Sequence, residues 1–359
     1  MSVYIIIFLL IAILAVAFEF GMFQKHYILG TVVICLALLA GLRSPEIGRD
    51  YQNYLYSFET IYTEHNPLLF VFYEPGFVAI VFLIRLLFLN NYGIIIMLLI
   101  ASISVCIKAW KIRSLSINPY TVILLYFSHF FLLQEMTQIR IGLATAFFFI
   151  AISYFLKRNF VGYILLILFA TLFHYTALFY LVLLFLRTDK FNRVLYIGVL
   201  ASALLFAFIP VPLISYLGNL QSNEFSGKVD NYVMAAELGI YKVNVLNAIT
   251  ICNILGCLYL IFAIAPRDFE KDKKLTFFLK CNILSIFLLS FFSGIPSIAF
   301  RLSDMLGILS MFCFAYLVRY LPFGKYNIFI VIALAGVFLY FFALNTNGLV
   351  KPYKMAKFV

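Results

Sequence analysis

Residues 160–187 read FVGYILLILFATLFHYTALFYLVLLFLR, an apolar run with His174 near its middle and Arg187 at its end. One membrane crossing takes about 20 apolar residues to span about 30 Å of hydrocarbon. The run is too long for one comfortable crossing, so it predicts two short helices joined by a tight turn at Phe173–Tyr175. Similar runs recur at roughly 3–20, 28–42, 75–89, 92–107, 119–133, 139–156, 194–210, 244–265, 275–293, 301–320 and 327–344. The fold class is therefore all-α integral membrane: a polytopic bundle of about 12–13 transmembrane or re-entrant helices with outer-face loops, in one domain over 1–359.

Composition agrees. Hydrophobic residues make up 65% of the 359-residue chain, charged residues 11%, and mean hydropathy is +1.06, which excludes an ordinary soluble domain. The net charge of +11 is no nucleic-acid footprint. The basic residues fall in short stretches between apolar runs, at Lys108–Arg113, Lys157–Arg158, Arg187–Arg193, Arg267–Lys274 and Arg319–Lys325, as the positive-inside rule has it for cytoplasmic loops. An even number of spans separates each consecutive pair of these loops, and that parity puts 134–138, the turn at His174, 211–243, 294–300 and the tail after Leu344 on the outer face. The first run lacks a basic leader and a small-residue cleavage site, so no signal peptide is expected. Cys35, Cys106, Cys252, Cys257, Cys281 and Cys313 all fall within apolar runs and read as small buried apolar residues.

Ionisable groups inside or against apolar runs are costly in hydrocarbon and mark sites more often than they mark structure. Loop 43–74 holds Arg43, Arg49 and Asp50, followed by Tyr51, Tyr54 and Phe58 at the spacing of one face of a short interfacial helix. Interface anchoring by Arg and Tyr is one reading of these residues; Gly48-Arg49-Asp50-Tyr51, a flexible backbone beside opposite charges, equally suits an ordered polar site. Glu74 precedes Pro75, which reads as a capped helix start or as a site carboxylate. Gln138 and Arg140 open the 139–156 run, where an arginine opposes the helix dipole yet suits a phosphate. His174 has the intrinsic acidity of a proton carrier, against the reading of a buried structural histidine. Arg301 and Asp304 are three apart and form either a local ion pair or an anion site with Arg140. Arg85 and Lys280 read as snorkelling side chains, and His129 as structural. The second long interruption, 211–243, reads as a lid or outer-face loop. No phosphate loop, zinc spacing or nucleophile elbow appears.

Taken in order, Arg43, Gly48-Arg49-Asp50-Tyr51 with Tyr54, Tyr73-Glu74-Pro75-Gly76-Phe77, Ile139 to Ala144, Phe173 to Leu178, Arg301 and Lys351-Pro352-Tyr353 resemble the EpsG/Wzy-like family of bacterial polysaccharide polymerases. The chain departs from the expected Gly-Thr-Asp at Arg49, so that position supplies no required hydroxyl. The resemblance implies a multi-pass enzyme of the bacterial inner membrane. It would polymerise undecaprenyl-diphosphate-linked oligosaccharide repeat units on the outer face, as an O-antigen or exopolysaccharide polymerase without metal or cofactor. His174, ahead of Asp50 and Glu74, is the expected base. Arg140, Arg301, Arg43 and Arg49 are expected on the diphosphate, and Tyr51, Tyr54, Gln138, Asp304 and Tyr353 on acceptor or sugar. The expected partners are the lipid-linked donor and acceptor, the bilayer, a chain-length regulator and a flippase. A flippase for the same lipid-linked sugars and an O-antigen ligase are the alternatives for the chain itself.

Overall fold

The computed structural model describes residues 1–22, 27–63, 73–88, 90–209, 211, 243–345 and 349–357. Most of the 211–243 interruption, with Gly218, Gly227 and Gly239, thus lies outside the described residues. The described chain is helical and packs as two units, Met1–Leu186 with Phe314–Val359, and Arg187–Cys313.

In the first unit the chain runs through α1 (Ser2–Glu19), α2 (Tyr27–Gly41), α3 (Tyr51–Thr63), α4 (Pro75–Leu87) and α5 (Tyr92–Leu115). Helix α6 (Pro119–Tyr126) continues as a π-helix over Phe127–Glu135. Next come α7 (Ile139–Leu156), α8 (Phe160–Thr171) and a 3-10 helix at Tyr175–Phe185. The second unit contains α9 (Arg193–Phe208), α10 (Ala248–Ala263), α11 (Pro266–Lys271), α12 (Lys273–Phe291) and α13 (Pro296–Gly307). Helix α14 (Ser310–Tyr320) crosses the boundary in sequence, and α15 (Asn327–Leu339) with a π-helical end at Tyr340–Leu344 belongs to the first unit. The starts are written locally. Asn118, Asn159, Asn192 and Asn247 each accept a hydrogen bond from the backbone N–H three residues on, capping α6, α8, α9 and α10.

Among the described residues, five helical segments are long and apolar enough to cross a membrane: α1, α5, α7, α12 and the Gly324–Leu344 stretch. The pair α13 and α14, bent by 44°, makes a sixth if taken as one broken span. Six further apolar helices among the described residues are shorter, at 10–17 residues. The chain is therefore a multi-pass membrane protein whose hydrophobic segments number about as expected, while half of them fall short of a full crossing. The outward faces are apolar, as lipid contact requires, with Leu9, Leu10 and Ile13 of α1 all exposed. The 160–187 run is two short helices with the chain turning at Leu172–His174.

Three expectations are corrected. The Lys108–Arg113 stretch is not a loop: α5 runs through it to Leu115, because Lys and Arg are good helix formers and Lys108 falls on the buried stripe of Ala101, Ser104, Val105, Ile112 and Leu115. Helix α13 begins at Pro296, whose ring suits the first helical position, so Arg301 sits in the helix interior and not at an entry. Cys35 and Cys106 are exposed on α2 and α5, whereas Cys257, Cys281 and Cys313 are buried; all six cysteines are free.

Lys108 and Glu135 form an ion pair at 2.5 Å with 0% and 1% of their side chains exposed. Glu135 Oε1 also accepts from Ser104 (3.0 Å) and Tyr126 (2.7 Å), and Lys108 donates to Gln134 Oε1 at 2.8 Å. The π-helical turn carries Gln134 and Glu135 into this cluster, and Gly142 of α7 leaves room for the second carboxylate oxygen. Removing one partner strands a buried charge at a cost of about 3–5 kcal/mol, whereas replacing both by apolar groups often costs little. Glu135→Ala is therefore expected to unfold far more readily in detergent than Lys108→Met/Glu135→Leu. Equal loss in the single and double variants would show that the pair does not hold the bundle.

Candidate functional site

Glu74 lies at the N-cap of α4, where Pro75 occupies the first helical position and fixes the start. The Gly76 N–H donates to the Leu172 carbonyl at 2.7 Å, and a Cβ at Gly76 would press on that oxygen and on the Phe173 ring. Glycine is thus required where the Glu74 segment docks onto the turn between α8 and the 3-10 helix. That turn carries His174, the N-cap of the 3-10 helix. Docking brings His174 Nδ1 to 2.8 Å from Glu74 Oε1. The other carboxylate oxygen, Oε2, accepts from Arg140 Nη1 at 2.6 Å.

One carboxylate therefore bridges a base and a cation separated from it by 100 and 66 residues. Arg140 follows Ile139 in the first turn of α7, so its charge opposes the dipole, and Glu74 compensates for it. The guanidinium also lies 6.0 Å from the centre of the Tyr54 ring and 5.5 Å from that of Phe77, within cation–π range. Tyr54, Phe58 and Phe77 pack together, which seats α3 on α4. Helix α3 forms where the spacing of Tyr51, Tyr54 and Phe58 predicted it, with that face buried in protein.

Glu74 is nearly buried, and burial alone would raise its pKa. The hydrogen bond from His174 and the charge of Arg140 outweigh burial and hold the carboxyl below its ordinary range. A carboxylate accepting at Nδ1 sets the histidine tautomer, with the proton on Nδ1 and the lone pair on Nε2. Nε2 is buried and without a hydrogen-bond partner among the described residues, as is Gln138 Oε1 at the N-cap of α7. The arrangement supplies a bare proton acceptor beside a guanidinium with N–H groups to spare.

The other candidates fall elsewhere. Arg43 is 0% exposed: it donates to the Ala40 carbonyl, lies 5.1 Å from the Tyr51 ring centre, and so is enclosed by protein. Tyr51 is likewise buried against it. Tyr353 meets Tyr4 edge-on at 6.4 Å in the C-terminal tail. Asp50 is half-buried at the start of α3, where its carbonyl accepts from the Tyr54 N–H, and Arg49 is exposed. Arg301 and Asp304 are in the second unit, exposed and half-buried; among the described residues they form no ion pair with each other. Arg85 stacks over Tyr62 and Tyr92 and approaches Glu59, as an interfacial arginine does. Lys280 does not snorkel: its ammonium donates to the carbonyls of Arg187 and Lys190 at 2.6 and 2.5 Å. His129 is stacked between Phe130 and Phe342, a structural placement.

Reading the sequence alone misses Lys108 and Glu135. The available signal was the three- and four-residue spacing that puts Lys108 in register with Ala101 and Ser104 on one helix face.

A family model described as "EpsG family" matches residues 26–355. The chain is 28% identical over 191 residues to a protein of Erwinia amylovora named "Amylovoran biosynthesis protein AmsC", covering 51% of this chain and 48% of that one. The match thus spans about half the length of the relative. No solved structure matches the chain.

A carboxyl with a lower pKa in the folded chain adds stability above its unfolded pKa of about 4.3, and that share is lost as pH falls through the folded-state value. Wild-type thermal stability is expected to drop as pH is lowered from neutral through the carboxylate range. Glu74→Gln should be less stable at neutral pH and show a flatter acid slope. The same slope in both proteins would remove Glu74 as its source.

Proposed function

The chain belongs to the EpsG family, and from that premise we propose that it is a membrane polymerase of polysaccharide biosynthesis that extends a saccharide carried on a lipid diphosphate. The name of the Erwinia relative supports the pathway class. The observation that carries the chemistry is Glu74, held between Arg140 and His174 with His174 Nε2 left bare.

In the proposed step, a hydroxyl oxygen of the acceptor sugar attacks the anomeric carbon of the donor. The bond from that carbon to the lipid diphosphate breaks, and the diphosphate leaves with the electron pair. The hydroxyl proton passes to His174 Nε2. Arg140 holds the departing diphosphate through N–H groups not used by Glu74, helped by the N-terminal end of α7. Glu74 positions both groups and stabilises the imidazolium once it forms. Tyr54 and Gln138 are proposed to meet sugar hydroxyls. Asp50 orients the start of α3. Enclosed Arg43 is reassigned to holding the fold. The proposed setting is the outer face of a bacterial inner membrane, with undecaprenyl diphosphate as the lipid.

Membranes carrying each variant at wild-type level, supplied with lipid-linked repeat units, test the assignment. His174→Ala is expected to lower the polymerisation rate by about 10²–10⁴-fold, the usual worth of a general base, while donor binding persists. Arg140→Ala is expected to lose both, and Arg140→Lys to be impaired because the bidentate fork is gone. Full-length polymer from Arg140→Ala would refute the diphosphate assignment. Near-normal polymer from His174→Ala, with Asp50→Asn inactive, would move the base to Asp50.

A further inference from the structure

The C-terminal tail doubles back onto the segment that precedes α3. Gly48 and Val350 form an isolated antiparallel bridge, as do Arg43 and Met355. The Lys351 N–H donates to the Ile47 carbonyl at 3.2 Å and the Ser44 N–H to the Lys354 carbonyl at 2.9 Å. Between these bridged segments and the end of the last π-helix lies an open groove of about 760 Å³, walled by residues 45–49 and Gln52 on one side and by Leu344, Asn345 and residues 349–352 on the other.

We propose that this groove binds an anionic segment of the saccharide, away from the reacting residue; the inference rests on the polymerase reading. Four observations support it. The volume falls within the 300–1,000 Å³ of ordinary ligand sites and exceeds what a lone phosphate fills. Arg49 and Lys351 bring positive charge from opposite walls, and the lining acid, Glu46, is paired with Lys354 at 3.0 Å. Gln52 and Asn345 offer amides for hydroxyl groups, while Ile47, Val350 and Pro352 offer apolar faces for sugar rings. The groove also joins the candidate site through the chain itself. Gly48 packs so tightly on the Met136 carbonyl that a Cβ would overlap it, and Met136 leads into Gln138 and Arg140. Helix α3 presents Gln52 to the groove on its exposed face and Tyr54 to Arg140 on its buried face. Arg49 then serves the polymer and not the leaving diphosphate.

The full chain in lipid nanodiscs is titrated with tetragalacturonate, and with neutral maltotetraose as the comparison. Wild type is expected to bind tetragalacturonate, and Arg49→Gln/Lys351→Gln to bind it about tenfold more weakly, about 1.4 kcal/mol. Arg49→Lys/Lys351→Arg, which keeps both charges, should bind like wild type, and maltotetraose should not distinguish these variants. Unchanged tetragalacturonate binding by the double glutamine variant, or no binding by folded wild type, would overturn the proposal. So would one-for-one displacement by inorganic pyrophosphate, which would make the groove a phosphate site. His174→Ala should bind tetragalacturonate like wild type, so failure of the polymerase reading and failure of this groove are read from separate measurements.

Discussion

A single carboxylate governs the first unit's site. Glu74 accepts from Arg140 with one oxygen and meets His174 with the other. Without it, Arg140 would face the positive end of α7 with no paired carboxylate among the described residues. Nothing else on that ring would then hold the His174 imidazole in one orientation, because its second nitrogen has no partner among the described residues. Burial raises the importance of the contact, since charge–charge attraction grows as water is excluded. The same contact ties α4 to α7 and to the turn after α8, so one group sets both the packing and the geometry of the candidate site.

Two supports keep that carboxylate in place. The Lys108–Glu135 pair pins the π-helical end of α6 inside the bundle and so fixes the short turn from which α7 starts. The tail, bridged to residues 43–48, braces the segment before α3, and α3 delivers Tyr54 to Arg140. Buried Arg43 belongs to this brace, enclosed by Tyr51 and the Ala40 carbonyl.

Much of this was legible in the sequence where short-range rules apply. The excess length of 160–187 and its central histidine called for a turn at His174, and the spacing of Tyr51, Tyr54 and Phe58 called for α3. Glu74, Arg140 and His174 each stood out singly, by their place against apolar runs. That one carboxylate serves both partners was not legible, because the contacts close over 66 and 100 residues and nothing local encodes them. Lys108 misled because a positive charge at the end of an apolar run looks like a loop until its buried partner is known. Arg301 misled for a related reason: Pro296 moved the helix start five residues earlier than hydropathy alone indicated.

The central claim, that Glu74 presets His174 for proton transfer through Nε2, is tested most directly by nitrogen NMR of ring-labelled histidine in the full chain. The chain has four histidines, and the His174 signals are assigned by their loss in His174→Ala. The account predicts that neutral His174 carries its proton on Nδ1 in the wild type, and that Glu74→Gln shifts the balance toward the other tautomer. A wild-type ring protonated mainly on Nε2, or a tautomer balance indifferent to Glu74→Gln, would contradict it.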